Sequence, residues 1–254
     1  LSPFLRAEEK FIPVDHIVKN GITVWSSVPS AILNITRLRP KDLVETSLRI
    51  AFLCGEPLRL DVLKYCYDNM AIEHVYNFYG LTETGVENFY YACDPEDVEK
   101  FKNKGVLPIG SPLAGNQVRV SKKKELLISG CQVTPGYLGA TDKERFSQIG
   151  DVVWYHTGDI VEVDDGLYFC KGRLDSQVKI GGFRIELMDI EVCVRNFPGV
   201  TDAVCFLDQW RQRTILTCVI EKRGNEPVDL INKYLKNELP TYMVPSKFVV
   251  VESF

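Results

Sequence analysis

The sequence offers few imidazoles and no arrangement of them that holds a metal. Its three histidines, His16, His74 and His156, lack ligand spacing and read as structural residues. No apolar run reaches the roughly 20 residues that cross a bilayer, and no charged-then-apolar leader stands at the start. These absences predict no membrane partner. An excess of either charge is also missing: 30 Lys and Arg stand against 34 Asp and Glu, a net charge of −4. That balance gives no bias toward nucleic acid, and the one basic cluster, residues 122–124, reads as the top of a hairpin turn. Eight cysteines are present without a C-x-x-C pair. Most fall within apolar strand or helix patterns, which predicts reduced, buried thiols of a cytoplasmic protein and neither disulfides nor zinc.

What is there is a globular composition, 45% hydrophobic over 254 residues, enough for one large domain or two modest ones. A β-rich run at 21–25 precedes a helix opened by Pro29 and Ser30. Residues 48–53 read as a buried strand broken at Cys54-Gly55-Glu56-Pro57. Residues 58–70 carry Leu63, Cys66 and Met70 at helical spacing, and 74–78 read as another strand ending at Tyr79-Gly80-Leu81-Thr82-Glu83. Strand, helix and strand within about thirty residues make a βαβ unit with parallel strands. Both following loops then emerge at the carboxyl edge of the sheet, where open α/β sheets bind ligands. From 106 to 170 short strands alternate with Gly/Pro turns, predicting a small β-barrel or bent sheet.

Residues 155–187, YHTGDIVEVDDGLYFCKGRLDSQVKIGGFRIEL, hold the densest chemistry. Apolar and polar residues alternate around a turn at 164–166, the pattern of a two-stranded hairpin. That places Asp159 on a strand edge, where an ionised carboxylate can accept two hydrogen bonds from a vicinal diol. Arg173 follows the second strand with a rigid fork of donors. Singly, each residue reads first as a surface ion-pair partner, and it is their spacing that favours a ligand site. After residue 174 the composition resets: Leu187, Ile190, Val194 and Phe197 share one helical face, strands at 201–207 and 214–221 flank a charged turn, a helix starts at Pro227, and 247–251 close as a strand. This is an α+β module of about eighty residues.

The T-G-D at 157–159 and G-R-L-D-S-Q-V-K-I-G-G-F-R-I-E-L at 172–187 resemble the signature of the adenylate-forming superfamily, which comprises acyl-CoA synthetases, luciferases and amino-acid-activating domains. N-F-Y-G-L-T-E at 77–83 is similar to its N-x-Y-G-P-T-E motif, with Leu81 in place of Pro. The run E-L-L-I-S-G-C-Q-V-T-P-G-Y-L at 125–138 resembles a segment that builds the β-rich subdomain, with Lys124 where the family has Gly. The resemblance implies an α/β fold. Residues 1–174 form the C-terminal portion of the large adenylation domain, with a parallel βαβ sheet and a small β-barrel subdomain at about 106–171. Residues 175–254 form a small, mobile α+β C-terminal domain.

The chemistry implied is activation of a small carboxylic acid, an amino acid above all, by ATP and Mg²⁺. An acyl-adenylate and pyrophosphate form, and the acyl group passes to the phosphopantetheine thiol of an acyl or peptidyl carrier protein, or to CoA. By this resemblance Tyr79 packs on adenine, a stacking contact of about 1 kcal/mol. Thr82 meets the phosphates and Glu83 helps hold magnesium, and these two are the catalytic candidates. Gly55, Glu56, Pro57, Asn77, Phe78 and Gly80 border the nucleotide. Asp159 holds the ribose hydroxyls, Arg173 reaches the ribose–phosphate region, Asp175 matches the hinge, and Gly181 and Gly182 line the pantetheine path or simply form a hairpin turn. Ala51, Leu53, Cys54, Phe78 and Val86 fall at substrate-pocket positions, an apolar lining suited to a small side chain. Glu87, where an aliphatic residue is common, departs from simple D-alanine specificity.

The motifs at 52–56, 136–187 and 239–245 resemble D-alanine carrier-protein ligases and peptide-synthetase domains more than fatty-acyl-CoA ligases. An acyl-CoA synthetase and a non-catalytic nucleotide-binding homologue are the alternatives. The start on Leu1 and the lack of the phosphate loop and of the final lysine motif predict a fragment that, by itself, catalyses pyrophosphate exchange only at background.

Overall fold

The computed structural model of the chain describes residues 13–38, 46–138, 145–175, 177–210, 213–222 and 227–253. Leu1, Gly139, Ser176 and Phe254, which figure in the motifs or in the reading of the ends, lie outside the described residues. The chain divides into two units, residues 1–174 and 175–254, each with a core of its own.

In the first unit, helix α1 (Val14–Lys19) leads to strand β1 (Val24–Ser27), helix α2 (Pro29–Leu38) and strand β2 (Ile50–Leu53). Helix α3 (Leu60–Asp68), strands β3 (His74–Tyr79) and β4 (Phe89–Cys93), helix α4 (Asp97–Lys100) and strand β5 (Ser111–Pro112) follow. The five strands form one sheet in the order β1-β2-β3-β4-β5. The first three run parallel and the last two antiparallel, so the predicted βαβ unit is present with its two loops at one edge. Val62, Leu63 and Cys66 of α3, with Met70 beyond it, are buried with Ala51 and Leu53 in the same core. Each fully buried large aliphatic side chain contributes about 1.5–3 kcal/mol. Burial pushes the Cys66 thiol up to about 12, so it acts as a small hydrophobe and not as a nucleophile.

A second sheet contains β6 (Asn116–Val120), β7 (Glu125–Gly130), β8 (Phe146–Ile149), β9 (Val152–Asp164) and β10 (Leu167–Arg173). Its path is β10-β9-β7-β6 with β8 also on β9, and every pair is antiparallel. The path has two ends among the described residues, so of the two forms predicted, barrel or bent sheet, the pairing gives an open sheet. The β9–β10 turn has Asp165 at φ 48° and Gly166 at φ 74°, the two left-handed residues whose twist suits a two-residue hairpin. Residues 122–124 lie between β6 and β7, at the turn predicted for the basic cluster.

The second unit opens with the hairpin of β11 (Gln177–Ile180) and β12 (Phe183–Glu186). Helix α5 (Leu187–Arg195), strands β13 (Val200–Trp210) and β14 (Arg213–Lys222), helix α6 (Val228–Glu238) and strand β15 (Lys247–Val251) complete it. β14 pairs antiparallel with β13 and parallel with β15. The strand pair runs further toward its turn than the alternation at 201–207 and 214–221 predicted. Ile190 and Val194 of α5 and Ile231 and Leu235 of α6 meet Leu216, Cys218 and Ile220 in one core. Cysteine burial is uneven: Cys66, Cys205 and Cys218 are buried, whereas Cys131 is exposed, against the general expectation of buried thiols.

Candidate functional site

Tyr79 ends β3 and Asp159 lies within β9, eighty residues later. The Tyr79 hydroxyl donates to Asp159 Oδ2 at 2.5 Å, and Arg173 Nη1 donates to Asp159 Oδ1 at 2.6 Å. Antiparallel register sets Arg173 opposite Asp159. The group is buried: Tyr79 is 5% and Asp159 2% exposed, and the Arg173 side chain 9%. Thr157 braces it, accepting from the Asp159 amide at 3.0 Å while its own hydroxyl donates to the Leu126 carbonyl at 2.7 Å. Gly158 N donates to Glu125 Oε1 at 3.1 Å. The Thr-Gly-Asp run is thus tied to β7 at two points.

This arrangement corrects the expectation of a strand edge at Asp159 and gives Arg173 and Tyr79 partners within the protein. Asp159 is not at a strand edge, because β9 lies between β10 and β7 in the sheet and its centre is covered. Each carboxylate oxygen already accepts one bond from the protein. A diol would therefore use the second lone pair of each oxygen, of the four or so sites a carboxylate offers. Arg173 gives Nη1 of its guanidinium to Asp159, a consequence of facing it across the hairpin. Tyr79 places its ring edge-on to Phe89, centroids 5.7 Å apart, and its burial leaves little ring surface for a base. Burial first, then the neighbouring Asp159 carboxylate, push the Tyr79 hydroxyl well above its ordinary value of 10.0. It remains a donor.

Gly80 begins the loop after β3. A Cβ there would stand 1.9 Å from the Val86 carbonyl oxygen, because the chain doubles back: Val86 N donates to Leu81 O at 2.8 Å and Asn88 N to Tyr79 O at 2.8 Å. The fold-back presents Thr82, exposed, and Glu83 on a 3₁₀ turn, Thr82–Thr84. Glu83 is held twice by the loop after β7. Thr134 N donates to its carbonyl at 2.8 Å, and the Tyr137 hydroxyl donates to Oε1 at 2.7 Å. Among the described residues, no three His, Cys, Asp or Glu side chains gather into a cation cage. A Mg²⁺ ion at Glu83 would take its remaining ligands from phosphate oxygens and water, which is how this ion is commonly held, so the residues fit it.

In the loop after β2, Gly55, Glu56 and Pro57 stand at the same sheet edge as the 80–83 loop. The Glu56 carboxylate accepts from Ser30 N at 2.8 Å and Ser30 Oγ at 3.1 Å. It occupies the start of α2, where a negative group is favoured. The Ser30 hydroxyl, predicted as a start signal for this helix, works by donating to Glu56.

The pleat divides the predicted pocket. Side chains alternate across a strand, and Ala51 and Leu53 face the helices and are fully buried there. Phe78 lies on the opposite face, where Phe52 meets it at 5.6 Å between centroids and Tyr76 and Tyr90 continue the row. Ala51 and Leu53 are therefore not neighbours of Phe78, and Phe52 takes that place. Asn77 also points away from Phe78: its amide donates to the Pro108 carbonyl at 2.8 Å in a buried position. Cys54, half-buried after β2, donates its N–H to Ser27 O at 3.1 Å. Val86 is 60% exposed at φ 76°, an uncommon backbone for a β-branched residue.

A family model described as AMP-binding enzyme matches residues 2–138, more than half of the chain. The chain belongs to the AMP-binding enzyme family. It is 31% identical over 250 residues to a D-alanine–D-alanyl carrier protein ligase of Staphylococcus epidermidis, covering 94% of this chain and 50% of that protein. It is 32% identical over 252 residues to a linear gramicidin synthase of Brevibacillus parabrevis, covering 91% of this chain and 5% of that protein. Among solved structures it resembles the Vibrio cholerae adenylation domain AlmE in complex with glycyl-adenosine-5′-phosphate. That match has a TM-score of 0.85 and 25% identity, over 98% of this chain and 50% of that one. The chain spans about half the length of the carrier protein ligases it matches.

In this AMP-binding enzyme chain the departure at Leu81 is absorbed by packing, since Leu81 is buried with Tyr79 and Phe89. The second unit carries the remaining predicted residues. Asp175 Oδ1 accepts from Gln177 N at 3.2 Å. Gly181 at φ 57° and Gly182 at φ 80° make the β11–β12 turn, and a two-residue hairpin of this hand accounts for both glycines. Sequence reasoning missed Phe52, Tyr137 and Tyr155, and the pairing of Ser30 with Glu56. Strict alternation from Phe78 would have found Phe52, while Tyr137, beyond β7, and Tyr155, within β9, are brought together with Glu83 by tertiary packing that leaves no local signal.

Proposed function

We propose that this chain supplies the nucleotide-binding part of an AMP-forming ligase that joins a small amino acid to ATP as an aminoacyl-adenylate, releasing pyrophosphate. The acyl group then passes to the phosphopantetheine thiol of a carrier protein. The observation that carries this reading is the buried junction of Tyr79, Asp159 and Arg173, which ties the two family motifs into one site. The named chemistry of the relatives supports it, as does the glycyl-adenylate bound to the Vibrio cholerae domain.

In this reading Asp159, held rigid by two donors, offers its remaining lone pairs to the ribose hydroxyls, and Tyr79 with the 55–57 backbone borders the base. Thr82 donates to a phosphate oxygen. Glu83 holds Mg²⁺, which when bound neutralises phosphate charge as the acid attacks. The amino-acid side chain meets the Phe52 and Phe78 face with Cys54 and Val86 at its rim. In the second unit, which we take to be the mobile domain, Asp175 stands at the hinge and Gly181 and Gly182 flank the thiol's approach.

The test is AMP binding to the 254-residue chain, followed by titration calorimetry. Asp159→Asn removes a charged acceptor whose hydrogen bonds are worth about 1.5–3 kcal/mol, so affinity should fall by about tenfold or more. A correctly folded Asp159→Asn chain, judged by circular dichroism, that binds AMP as well as the unaltered one would sink the reading.

A further inference from the structure

The run at 125–138 resembles a segment that only builds the β-rich subdomain, yet one of its side chains leaves that role. Tyr137 is 39% exposed and reaches across 54 residues of sequence to the Glu83 carboxylate at 2.7 Å. We propose that Tyr137 is a positioning residue for the divalent cation of the reaction, fixing the Glu83 carboxylate in the orientation that receives the ion. This rests on the reading of Glu83 as a cation ligand and adds to it the group that sets that ligand's geometry.

The geometry carries the proposal in three steps. First, Glu83 lies on a 3₁₀ turn with the rotamer freedom of a long side chain, whose ordering carries an entropic cost that opposes ion binding. A bond from a neutral hydroxyl to a carboxylate offsets part of that cost before any ion arrives. Second, the same loop grips the backbone, since Thr134 N donates to the Glu83 carbonyl at 2.8 Å. Main chain and side chain of Glu83 are thus referenced to one element. Third, the proton inventory gives the network a direction. A carboxylate only accepts, so the single Tyr137 proton goes to Glu83. At the 3.3 Å contact between the two phenol oxygens, Tyr155 is then the donor and Tyr137 the acceptor.

Tyr155 is fully buried, and Phe146 packs edge-on to both rings, 6.1 Å from Tyr137 and 5.2 Å from Tyr155 between centroids. A rigid interior ring therefore orients an outer one, which orients the carboxylate. Tyr137 touches no reacting atom and acts through Glu83.

The test uses the 254-residue chain, ATP and Mn²⁺, with free Mn²⁺ read by electron paramagnetic resonance and metal-free ATP affinity measured in EDTA. Tyr137→Phe keeps the ring and removes only the hydroxyl. Loss of a group that orients a metal ligand costs about 10- to 100-fold in metal affinity, so Mn²⁺ binding to the ATP-loaded chain should weaken about tenfold or more while ATP affinity in EDTA is unchanged. Tyr155→Phe should weaken it in the same direction by less, and Glu83→Gln most of all. If Glu83→Gln binds Mn²⁺ like the unaltered chain, or if the unaltered chain adds nothing to ATP's own affinity for Mn²⁺, the cation reading of Glu83 falls and the proposal with it. If Glu83→Gln is weakened but Tyr137→Phe is not, the positioning role alone is overturned. Equal losses of Mn²⁺ and metal-free ATP binding in Tyr137→Phe would mark a structural role and also overturn it.

Discussion

At the scale of single residues, the Tyr79–Asp159–Arg173 junction shows how burial changes what a motif residue does. In water each of the three would be an ordinary polar side chain. Covered, they must satisfy one another, because an unpaired buried charge costs several kcal/mol. The consequence is measurable through pH. Burial, and then the Asp159 charge, raise the Tyr79 ionisation well above its ordinary 10.0, so the folded chain keeps a proton that the unfolded chain gives up. The stabilisation is complete below about pH 10 and is lost as pH climbs toward the folded-state value. Tyr79→Phe should lower stability by about 1–3 kcal/mol at neutral pH, since it removes a donor to a buried carboxylate. It should also flatten the alkaline decline. Tyr67, Tyr91 and Tyr137 are raised in the same sense, so some slope remains. Urea midpoints followed from about pH 8 to pH 11 would show this, and identical slopes for both chains would refute it.

At the scale of elements, the loop after β3 is set by two neighbouring backbone facts of opposite sign. Gly80 permits a close approach that no Cβ allows, because the obstacle is the Val86 main-chain oxygen. Val86 itself holds a left-handed φ of 76°, which a β-branched residue adopts only under constraint. Gly80→Ala should therefore destabilise the first unit by about 3 kcal/mol or more, as overpacking against backbone does. Val86→Gly should stabilise it by about 1 kcal/mol through relief of the left-handed penalty. Denaturant unfolding of the two variants beside the parent would reveal the opposite signs. A neutral Gly80→Ala would mean that the fold-back is not fixed by this contact. Retention of strain beside Thr82 and Glu83 fits a loop shaped for a ligand more than for stability.

For the whole molecule, the division at residue 174 separates the hydrophobic core of the second unit from the two clusters of the first, with no residue shared. The second unit closes a three-stranded sheet against α5 and α6 with Ile190, Val194, Ile231 and Leu235 buried. Residues 175–254 expressed by themselves should unfold in one cooperative transition, with stability on the order of 5–10 kcal/mol for a unit of this size. Ile231→Ala, which opens a cavity in that core, should remove about 2–5 kcal/mol of it. Gradual, non-cooperative melting of the segment would show that its core depends on the rest of the chain.

Much of this is open to reading from the chain. Local periodicity places α3 between two parallel strands, the Asp-Gly turn places the β9–β10 hairpin, and apolar residues at strand and helix spacing place the elements of the second unit. Each of these is encoded by residues within a few positions of one another. Motif chemistry names Asp159, Glu83 and Tyr79. What the local pattern does not carry is which way a side chain faces and what lies across from it. Motif position puts Ala51 and Leu53 beside Phe78, although one step of the pleat sends them to the helices. Alternation puts Asp159 at an edge that pairing with a distant strand covers. Tyr137 and Tyr155 have no sequence signal linking them to Glu83. Sequence determined the elements and the candidate site residues, because these depend on neighbours along the chain. Tertiary structure decided the partners of those groups, because burial and hydrogen-bond geometry between residues 54 to 80 positions apart exist only once the sheets have formed.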